Sequence, residues 1–135
     1  MPKPIQCILL VDDDPDDNYF HELIIRDSGV CEDVRVAENG YQALHYLTHT
    51  DLPDYTQPDV IFLDINMPGM NGFEFLEQYQ TLPRDQKSRL LLLMLTTSVN
   101  PIDQKRASIS SEVSFYYTKP LTTAILHELV ETYFC

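Results

Sequence analysis

Short apolar runs alternate with segments of helical period along the whole sequence. Five runs rich in apolar residues are predicted as strands: 7–11, 33–37, 60–63, 90–95 and 112–117. Five segments with apolar residues three and four positions apart are predicted as helices: 14–28, one that opens at 39–40, 72–82, 102–109 and 122–133. Apolar strands separated by helices indicate a parallel sheet covered on both faces. We therefore predict an α/β fold of five βα units with right-handed crossovers.

The apolar spacing within a helical segment also predicts which of its residues share a face. In the third helix, Phe75, Leu76 and Tyr79 are predicted to point inward. In the first helix, Phe20, Leu23, Ile24 and Asp27 lie on one helical face.

Composition and charge limit the class of protein and its partners. The chain has 135 residues, of which 44% are hydrophobic, and this suits a single domain over 1–135. The net charge of −12 argues against nucleic acid or an anionic membrane as a partner, since both need basic surface. No apolar run approaches the roughly 18 residues of a membrane span, and residues 1–6 lack the plan of a signal peptide. We expect a cytoplasmic protein.

Cysteine and histidine give no sign of a metal site. The three cysteines are Cys7, Cys31 and Cys135. They are far apart and lack CxxC spacing, which argues against zinc and agrees with a reducing compartment. We expect Cys7 and Cys31 to pack in the core, and we assign no role to the four scattered histidines.

Polar residues follow four of the five predicted strands. They are Asp12 and Asp13 after the first strand, Asp64 after the third, Thr96 after the fourth and Lys119 after the fifth. Ligands of parallel α/β sheets bind beyond the carboxyl ends of the strands, so this convergence predicts a site. Clustered carboxylates need a counter-ion, and an all-oxygen ligand set selects a hard cation such as Mg²⁺. A remaining carboxylate can attack phosphorus, while a hydroxyl and an ammonium group stabilise the phosphoryl oxygens.

Four segments carry the site residues and their neighbours: Leu10-Val11-Asp12-Asp13, Leu63-Asp64-Ile65-Asn66-Met67-Pro68-Gly69-Met70-Asn71-Gly72, Leu95-Thr96 and Tyr116-Tyr117-Thr118-Lys119-Pro120. In combination they resemble the receiver domain of bacterial two-component response regulators. The resemblance covers a core of about residues 5–133. It implies a flavodoxin-like sheet with strand order 2-1-3-4-5 and helices on both faces.

The resemblance also implies a role for each acidic residue of the site. Asp64 would be the phosphoacceptor. Asp13 would bind Mg²⁺ directly and Asp12 mostly through water, with the main-chain carbonyl of Asn66 as a further ligand.

The remaining site residues would stabilise the phosphoryl group and transmit its arrival. Thr96 would hydrogen-bond to the phosphoryl group and Lys119 would pair with it. Tyr116, three residues before Lys119, matches the switch aromatic, although Tyr117 and Phe115 compete for that role. By sequence alone Thr97 could replace Thr96 as the hydroxyl donor, but strand alternation favours Thr96.

The function that the resemblance implies is phosphorelay signal transduction. A histidine kinase or histidine phosphotransfer protein would donate the phosphoryl group. A downstream protein would bind the face formed by the fourth helix, fifth strand and fifth helix, and the receiver would be a monomer or a phosphorylation-linked homodimer. Such a chain is not an enzyme beyond its own Mg²⁺-dependent phosphorylation and dephosphorylation. The loop at about 48–58 and the acidic opening resemble stand-alone receivers of the chemotaxis-regulator or phytochrome-kinase type.

Two other functions remain as alternatives. Asp12-Asp13-Asp14 after an apolar strand could belong to a haloacid-dehalogenase-type phosphatase with Asp12 as the nucleophile, but Asp16 stands where that family needs Thr or Val. A degenerate receiver could act as a docking module, although such a domain normally lacks one of the site residues.

The rest of the acidic run and one turn have structural explanations. Asp14, Asp16 and Asp17 suit the cap and first turn of a helix that starts at Pro15. Pro68-Gly69 suits a type II turn that would orient the Asp64 loop.

Overall fold

The computed structural model describes residues 3–134, which form five strands and five α-helices. The strands are β1 (Ile5–Val11), β2 (Cys31–Ala37), β3 (Val60–Leu63), β4 (Leu91–Thr96) and β5 (Phe115–Thr118). The helices are α1 (Pro15–Ser28), α2 (Gly40–Thr48), α3 (Gly72–Tyr79), α4 (Pro101–Ile109) and α5 (Thr123–Tyr133). A short 3₁₀ helix, Arg84–Gln86, precedes β4. Cys135 lies outside the described residues.

The strands are parallel and lie in the order β2-β1-β3-β4-β5, which confirms the predicted fold class. Two apolar clusters fill the two sides of the sheet. Leu9 and Val11 of β1 belong to the cluster packed by α2, α3 and α4. Ile8 and Leu10 belong to the cluster packed by α1 and α5. Because successive side chains of a strand point to opposite faces, one apolar strand serves both cores.

Helix α1 buries a different face from the one that carries Phe20 and Leu23. Those two side chains are 46% and 42% exposed, whereas Ile24 of the same predicted face is partly buried against the core. The buried residues of α1 are instead Asn18, His21 and Ile25. Apolar spacing does not reveal this face, because two of its three residues are polar and lie near the carboxyl edge of the sheet.

The predicted start of the fifth strand at residue 112 was wrong, because β5 begins only at Phe115. The Ser110 hydroxyl accepts a hydrogen bond from the Glu112 N–H at 3.2 Å, which forms a turn. The Glu112 carboxylate accepts a hydrogen bond from the Lys87 ammonium group at 2.7 Å. Residue 112 is therefore committed to a turn and an ion pair rather than to the sheet.

The long loop over about 48–58 is held against α2 by one side chain. The Tyr46 hydroxyl donates to the Thr56 carbonyl at 2.5 Å and accepts from the Thr56 N–H at 3.0 Å. This pair of hydrogen bonds fixes the loop before β3 begins.

Cys7 and Cys31 are buried free thiols, as expected for packing residues. Burial raises the pKa of Cys7 to about 12 and that of Cys31 to about 11, so both stay protonated at neutral pH. Among residues 3–134, no helix is both long enough and apolar enough to cross a membrane.

Helix α3 buries the face that the sequence predicts, with Phe75, Leu76 and Tyr79 all inside. The Tyr79 hydroxyl also makes hydrogen-bond contacts inside the core. It accepts a hydrogen bond from the Ser88 N–H at 2.9 Å and lies 3.1 Å from the Ser88 hydroxyl oxygen. Tyr79 therefore ties the end of α3 to the segment that leads into β4.

We expect Tyr79→Phe to lower the free energy of unfolding by about 1–2 kcal/mol, because the buried Ser88 N–H loses its acceptor. The matched control is Tyr41→Phe, since Tyr41 is 62% exposed, and it should change stability by less than about 0.5 kcal/mol. Urea denaturation of both variants measures the difference. Equal stabilities for the two variants would contradict the role assigned to the Tyr79 hydroxyl.

Candidate functional site

Main-chain hydrogen bonds place the predicted site residues at one edge of the sheet. The Asp12 N–H donates to the Ala37 carbonyl at 3.1 Å, and the Asp64 N–H donates to the Val11 carbonyl at 2.9 Å. The Lys119 N–H donates to the carbonyl of Thr96 at 2.8 Å. Each bond continues the ladder one residue beyond a strand, so the side chains that follow β1, β3 and β5 converge.

Three carboxylates form the acidic part of this edge. Asp12, Asp13 and Asp64 each offer an oxygen atom, and these atoms all lie within 4.8 Å of one another. Asp12 and Asp64 are only 5% and 6% exposed. Oxygen donors at this density, without His or Cys, suit a hard divalent cation. The donor set therefore fits Mg²⁺, as the sequence predicts.

The Lys119 ammonium group lies among the carboxylates. It donates to Asp12 at 2.6 Å and to Asp17 at 2.8 Å, and it stands 3.7 Å from the nearer oxygen of Asp64. Burial alone would lower the pKa of Lys119, but the hydrogen bonds that it donates to Asp12 and Asp17 and the charge of Asp64 leave that pKa raised. Lys119 is therefore fully protonated in this state.

Asp64 has one oxygen fixed and one directed toward the ammonium group. Its Oδ1 accepts a hydrogen bond from the Ile65 N–H at 2.9 Å, whereas Oδ2 is the atom that faces Lys119. Burial raises the pKa of Asp64; the charge of Lys119 opposes this rise and the carboxylate of Asp12 adds to it. One oxygen of Asp64 is therefore held by its own loop, while the other faces the ammonium group of Lys119.

The acidic run beyond Asp13 divides into a cap, an exposed residue and an ion-pair partner. Asp14 is the N-cap of α1 and its side chain accepts from the N–H groups of Asp16 and Asp17, as the sequence predicts. Asp16 is exposed. The contact of Asp17 with Lys119 was not predicted. Side chains of a helix lean toward its N-terminus, and this lean carries the Asp17 carboxylate from the first turn toward the site.

Two buried residues of α1 also support the site and were missed by sequence reasoning. The Asn18 amide donates to the main-chain carbonyl of Asp12 at 2.8 Å. His21 lines a small cavity together with Asp12, Asn18 and Asp64. Burial and the nearby charge of Lys119 lower the pKa of His21, which keeps it neutral at pH 7.

The hydroxyl and aromatic candidates lie on β4 and β5. Thr96 is fully buried at the end of β4 and its side chain is among the groups that lower the pKa of Asp64, whereas Thr97 is exposed. The Tyr116 hydroxyl donates to the Ser98 carbonyl at 2.8 Å. Tyr116 packs on the side of α2, α3 and α4, whereas Tyr117 packs on the opposite side of the sheet.

The loop after β3 is shaped by a turn and a close backbone approach. Asn66, two residues beyond Asp64, is exposed at its start. Gly69 has a φ of +80°, which suits the third position of the predicted type II turn after Pro68. Gly72 starts α3 directly beneath the loop, and its N–H donates to the Ile65 carbonyl at 2.8 Å. Pro68-Gly69 and Gly72 therefore fix the loop that carries Asp64.

Known proteins of one family are similar to this chain over nearly its whole length. The family model described as response regulator receiver domain matches residues 8–131. The response regulator Rcp1 of Synechocystis sp. is 30% identical over 130 residues, which cover 96% of this chain and 86% of Rcp1. A two-component response regulator from Cytophaga hutchinsonii superposes with a TM-score of 0.85 at 32% identity, covering 97% of each chain. The bacteriophytochrome response regulator AtBRR superposes with a TM-score of 0.75 at 26% identity, covering 96% of this chain and 92% of AtBRR.

Some curated relatives are far longer than this chain. The sensor histidine kinase GacS of Pseudomonas protegens is 28% identical over 124 residues, and the chain covers only 12% of its length. The similarity therefore concerns one domain of that kinase.

We expect Gly72→Ala to destabilise the protein by more than about 2 kcal/mol, because two backbone segments would have to move apart. A Cβ atom on Gly72 would lie 2.5 Å from the Asp64 carbonyl oxygen and 2.9 Å from the Ile65 Cα. The control is Gly40→Ala, whose Cβ would have its nearest contacts with the flexible side chain of Met70. Thermal and urea unfolding compare the two, and equal losses would contradict the close approach at Gly72.

Proposed function

The chain belongs to the response regulator receiver domain family and is a receiver domain of two-component phosphorelay systems; we propose that it accepts a phosphoryl group on Asp64. The position of Asp64 carries this proposal, because its buried carboxylate lies 3.7 Å from Lys119 and within 4.8 Å of the ligand oxygens of Asp12 and Asp13. We propose further that residues 1–135 act as one such domain.

Phosphorylation is a nucleophilic substitution at phosphorus. The free oxygen of Asp64 forms the new P–O bond, while the bond from phosphorus to the donor breaks and its electron pair leaves with the donor nitrogen or oxygen. The Ile65 N–H holds the other oxygen at 2.9 Å, so the carboxylate is oriented before the donor arrives. Lys119 and Thr96 would then bind the phosphoryl oxygens, where negative charge accumulates.

The residues that would hold Mg²⁺ are Asp13, Asp12 and the main-chain carbonyl of Asn66, with Asp64 completing the set. When bound, Mg²⁺ would neutralise charge on the carboxylates and on the transferring phosphoryl group. Asp13 is the most exposed of the three clustered carboxylates, so a cation can reach it from solvent.

Tyr116 and the β4–α4 loop are the proposed output of the site. A phosphoryl group on Asp64 would draw the Thr96 hydroxyl and its loop toward it. The Tyr116 hydroxyl holds the same loop through its hydrogen bond to the Ser98 carbonyl at 2.8 Å. A shift of the loop would therefore also move the Tyr116 side chain in β5. The response is a shift in population between two arrangements of α4, β5 and α5.

The proposed partners follow from membership of the family. Receiver domains interact with histidine kinases and with downstream targets. For this chain we propose a histidine kinase or histidine phosphotransfer protein as donor and a downstream protein at the face of α4, β5 and α5. AtBRR is named as a bacteriophytochrome response regulator, which makes a phytochrome-type kinase one candidate donor. We propose a cytoplasmic monomer that can form a phosphorylation-linked homodimer.

The contacts of Asp12 argue against its acting as a phosphatase nucleophile. Its Oδ1 accepts from the Asp14 N–H at 3.0 Å and its Oδ2 binds Lys119 at 2.6 Å, so both oxygens are engaged. A receiver is not a classical enzyme, and we propose no reaction beyond its own phosphorylation and dephosphorylation. A docking role without phosphorylation has no support, because Asp12, Asp13, Asp64, Thr96 and Lys119 are present together.

We expect Asp64→Asn to abolish labelling by radioactive acetyl phosphate in the presence of Mg²⁺, because the nucleophilic oxygen is lost. The matched control is Asp16→Asn, which removes an exposed charge from the same edge and should be labelled normally. EDTA should abolish labelling of the native protein. Persistent labelling of Asp64→Asn would show that the phosphoryl group goes elsewhere.

We expect Lys119→Ala to accept the phosphoryl group but to show a weaker structural response at Ser98 and Tyr116. The ammonium group acts mainly after transfer, when it pairs with the phosphoryl group on Asp64. Amide NMR shifts at Ser98 and Tyr116 before and after phosphorylation measure the transmission. Lys3→Ala, at the opposite edge of the sheet, should respond like the native protein. A native response from Lys119→Ala would remove Lys119 from the switch.

A further inference from the structure

The Lys119 ammonium group stands closer to α1 than to the proposed phosphoacceptor. It lies 2.8 Å from the Asp17 carboxylate but 3.7 Å from Asp64. Only the two contacts to Asp12 and Asp17 are hydrogen bonds. Lys119 is therefore hydrogen-bonded to Asp12 of the site and to Asp17 of α1, but not to Asp64.

Asp17 reaches Lys119 because of how α1 begins. Asp14 caps the helix and Pro15 is its first residue, so Asp17 falls on the first turn, three residues after the cap. The Asp17 side chain is 38% exposed, whereas that of Lys119 is 9% exposed. The pair thus joins a buried cation to a carboxylate that water can reach and that can be released into solvent.

We propose that Asp17 is a positioning residue that holds Lys119 on the α1 side of the site until a phosphoryl group arrives. This inference rests on the proposed function of Asp64. A phosphoryl group adds nearly two negative charges and strong acceptor oxygens at Asp64, so it competes with Asp17 for the same ammonium group. Phosphorylation then breaks the Asp17–Lys119 pair and releases the Asp17 side chain.

Competition between Asp17 and the phosphoryl group for Lys119 predicts a measurable change in affinity for a phosphoryl mimic. If Lys119 must leave Asp17 to bind the phosphoryl group, then removing the charge of Asp17 removes an opposing interaction. The affinity for a phosphoryl mimic should rise. Because the pair is partly exposed, the gain should be modest, about two- to five-fold.

The experiment measures binding of trifluoroberyllate, a tetrahedral phosphoryl mimic, at saturating Mg²⁺. Asp17→Asn should bind it about two- to five-fold more tightly than the native protein. Asp16→Asn removes the same charge from the same helical turn but has no contact with Lys119, and its affinity should be unchanged. Asp17→Glu keeps the charge and should restore an affinity close to the native one.

A double-mutant cycle separates the ion pair from a general effect of charge. In a Lys119→Ala background, Asp17→Asn should no longer raise the affinity, because the competing pair is already gone. If Asp17→Asn raised the affinity equally in the Lys119→Ala protein, the inference would be overturned, and long-range repulsion by the Asp17 charge would explain the gain. Unchanged or weaker binding by Asp17→Asn in the native background would also overturn it.

The outcomes distinguish this inference from the function on which it rests. A native protein that does not bind trifluoroberyllate would contradict the role of Asp64, and the inference would fall with it. A native protein that binds, with no gain in Asp17→Asn, would contradict only the role of Asp17. Circular dichroism of each variant establishes that the fold is retained.

Discussion

The ion pairs between Lys119 and the carboxylates around it are the interaction on which the site and much of its surroundings depend. Lys119 follows β5, Asp12 follows β1, Asp64 follows β3 and Asp17 lies in α1, so one ammonium group connects four elements. Removing one partner of a buried pair costs about 3–5 kcal/mol, because it leaves a buried charge uncompensated. Lys119 cannot balance all of these carboxylates, and the excess negative charge suits a divalent cation.

The residues at this edge of the sheet could be predicted from the sequence, because parallel strands all end at the same edge. Apolar runs mark β1, β3 and β4, and a parallel arrangement brings the residues that follow them together. The strand order could not be worked out from the runs and came from the resemblance of four motifs to a known family. What the sequence did not reveal lies mostly on α1. Hydrophobic periodicity finds apolar faces, whereas α1 turns Asn18, His21 and Asp17 toward the site.

Rigid and adjustable parts of the site come from different features of the chain. The backbone of Asp64 is fixed by the close approach of Gly72. One oxygen of its carboxylate is fixed by the hydrogen bond from the Ile65 N–H. Thr96, by contrast, stands at the start of a loop whose far side is held by the Tyr116 hydroxyl through the Ser98 carbonyl. A phosphoryl group on a fixed carboxylate would therefore move its partners, Lys119 and the β4–α4 loop, rather than Asp64 itself.

The central claim, that Asp64 receives the phosphoryl group, is tested most directly by locating the modified residue. The native protein is treated with acetyl phosphate and Mg²⁺ and then with borohydride, which reduces an acyl phosphate to a primary alcohol. Tandem mass spectrometry of the peptides then identifies the residue. The account predicts homoserine in place of Asp64 and unmodified Asp12 and Asp13. Homoserine at either of those two positions, or none anywhere in the chain, would contradict it.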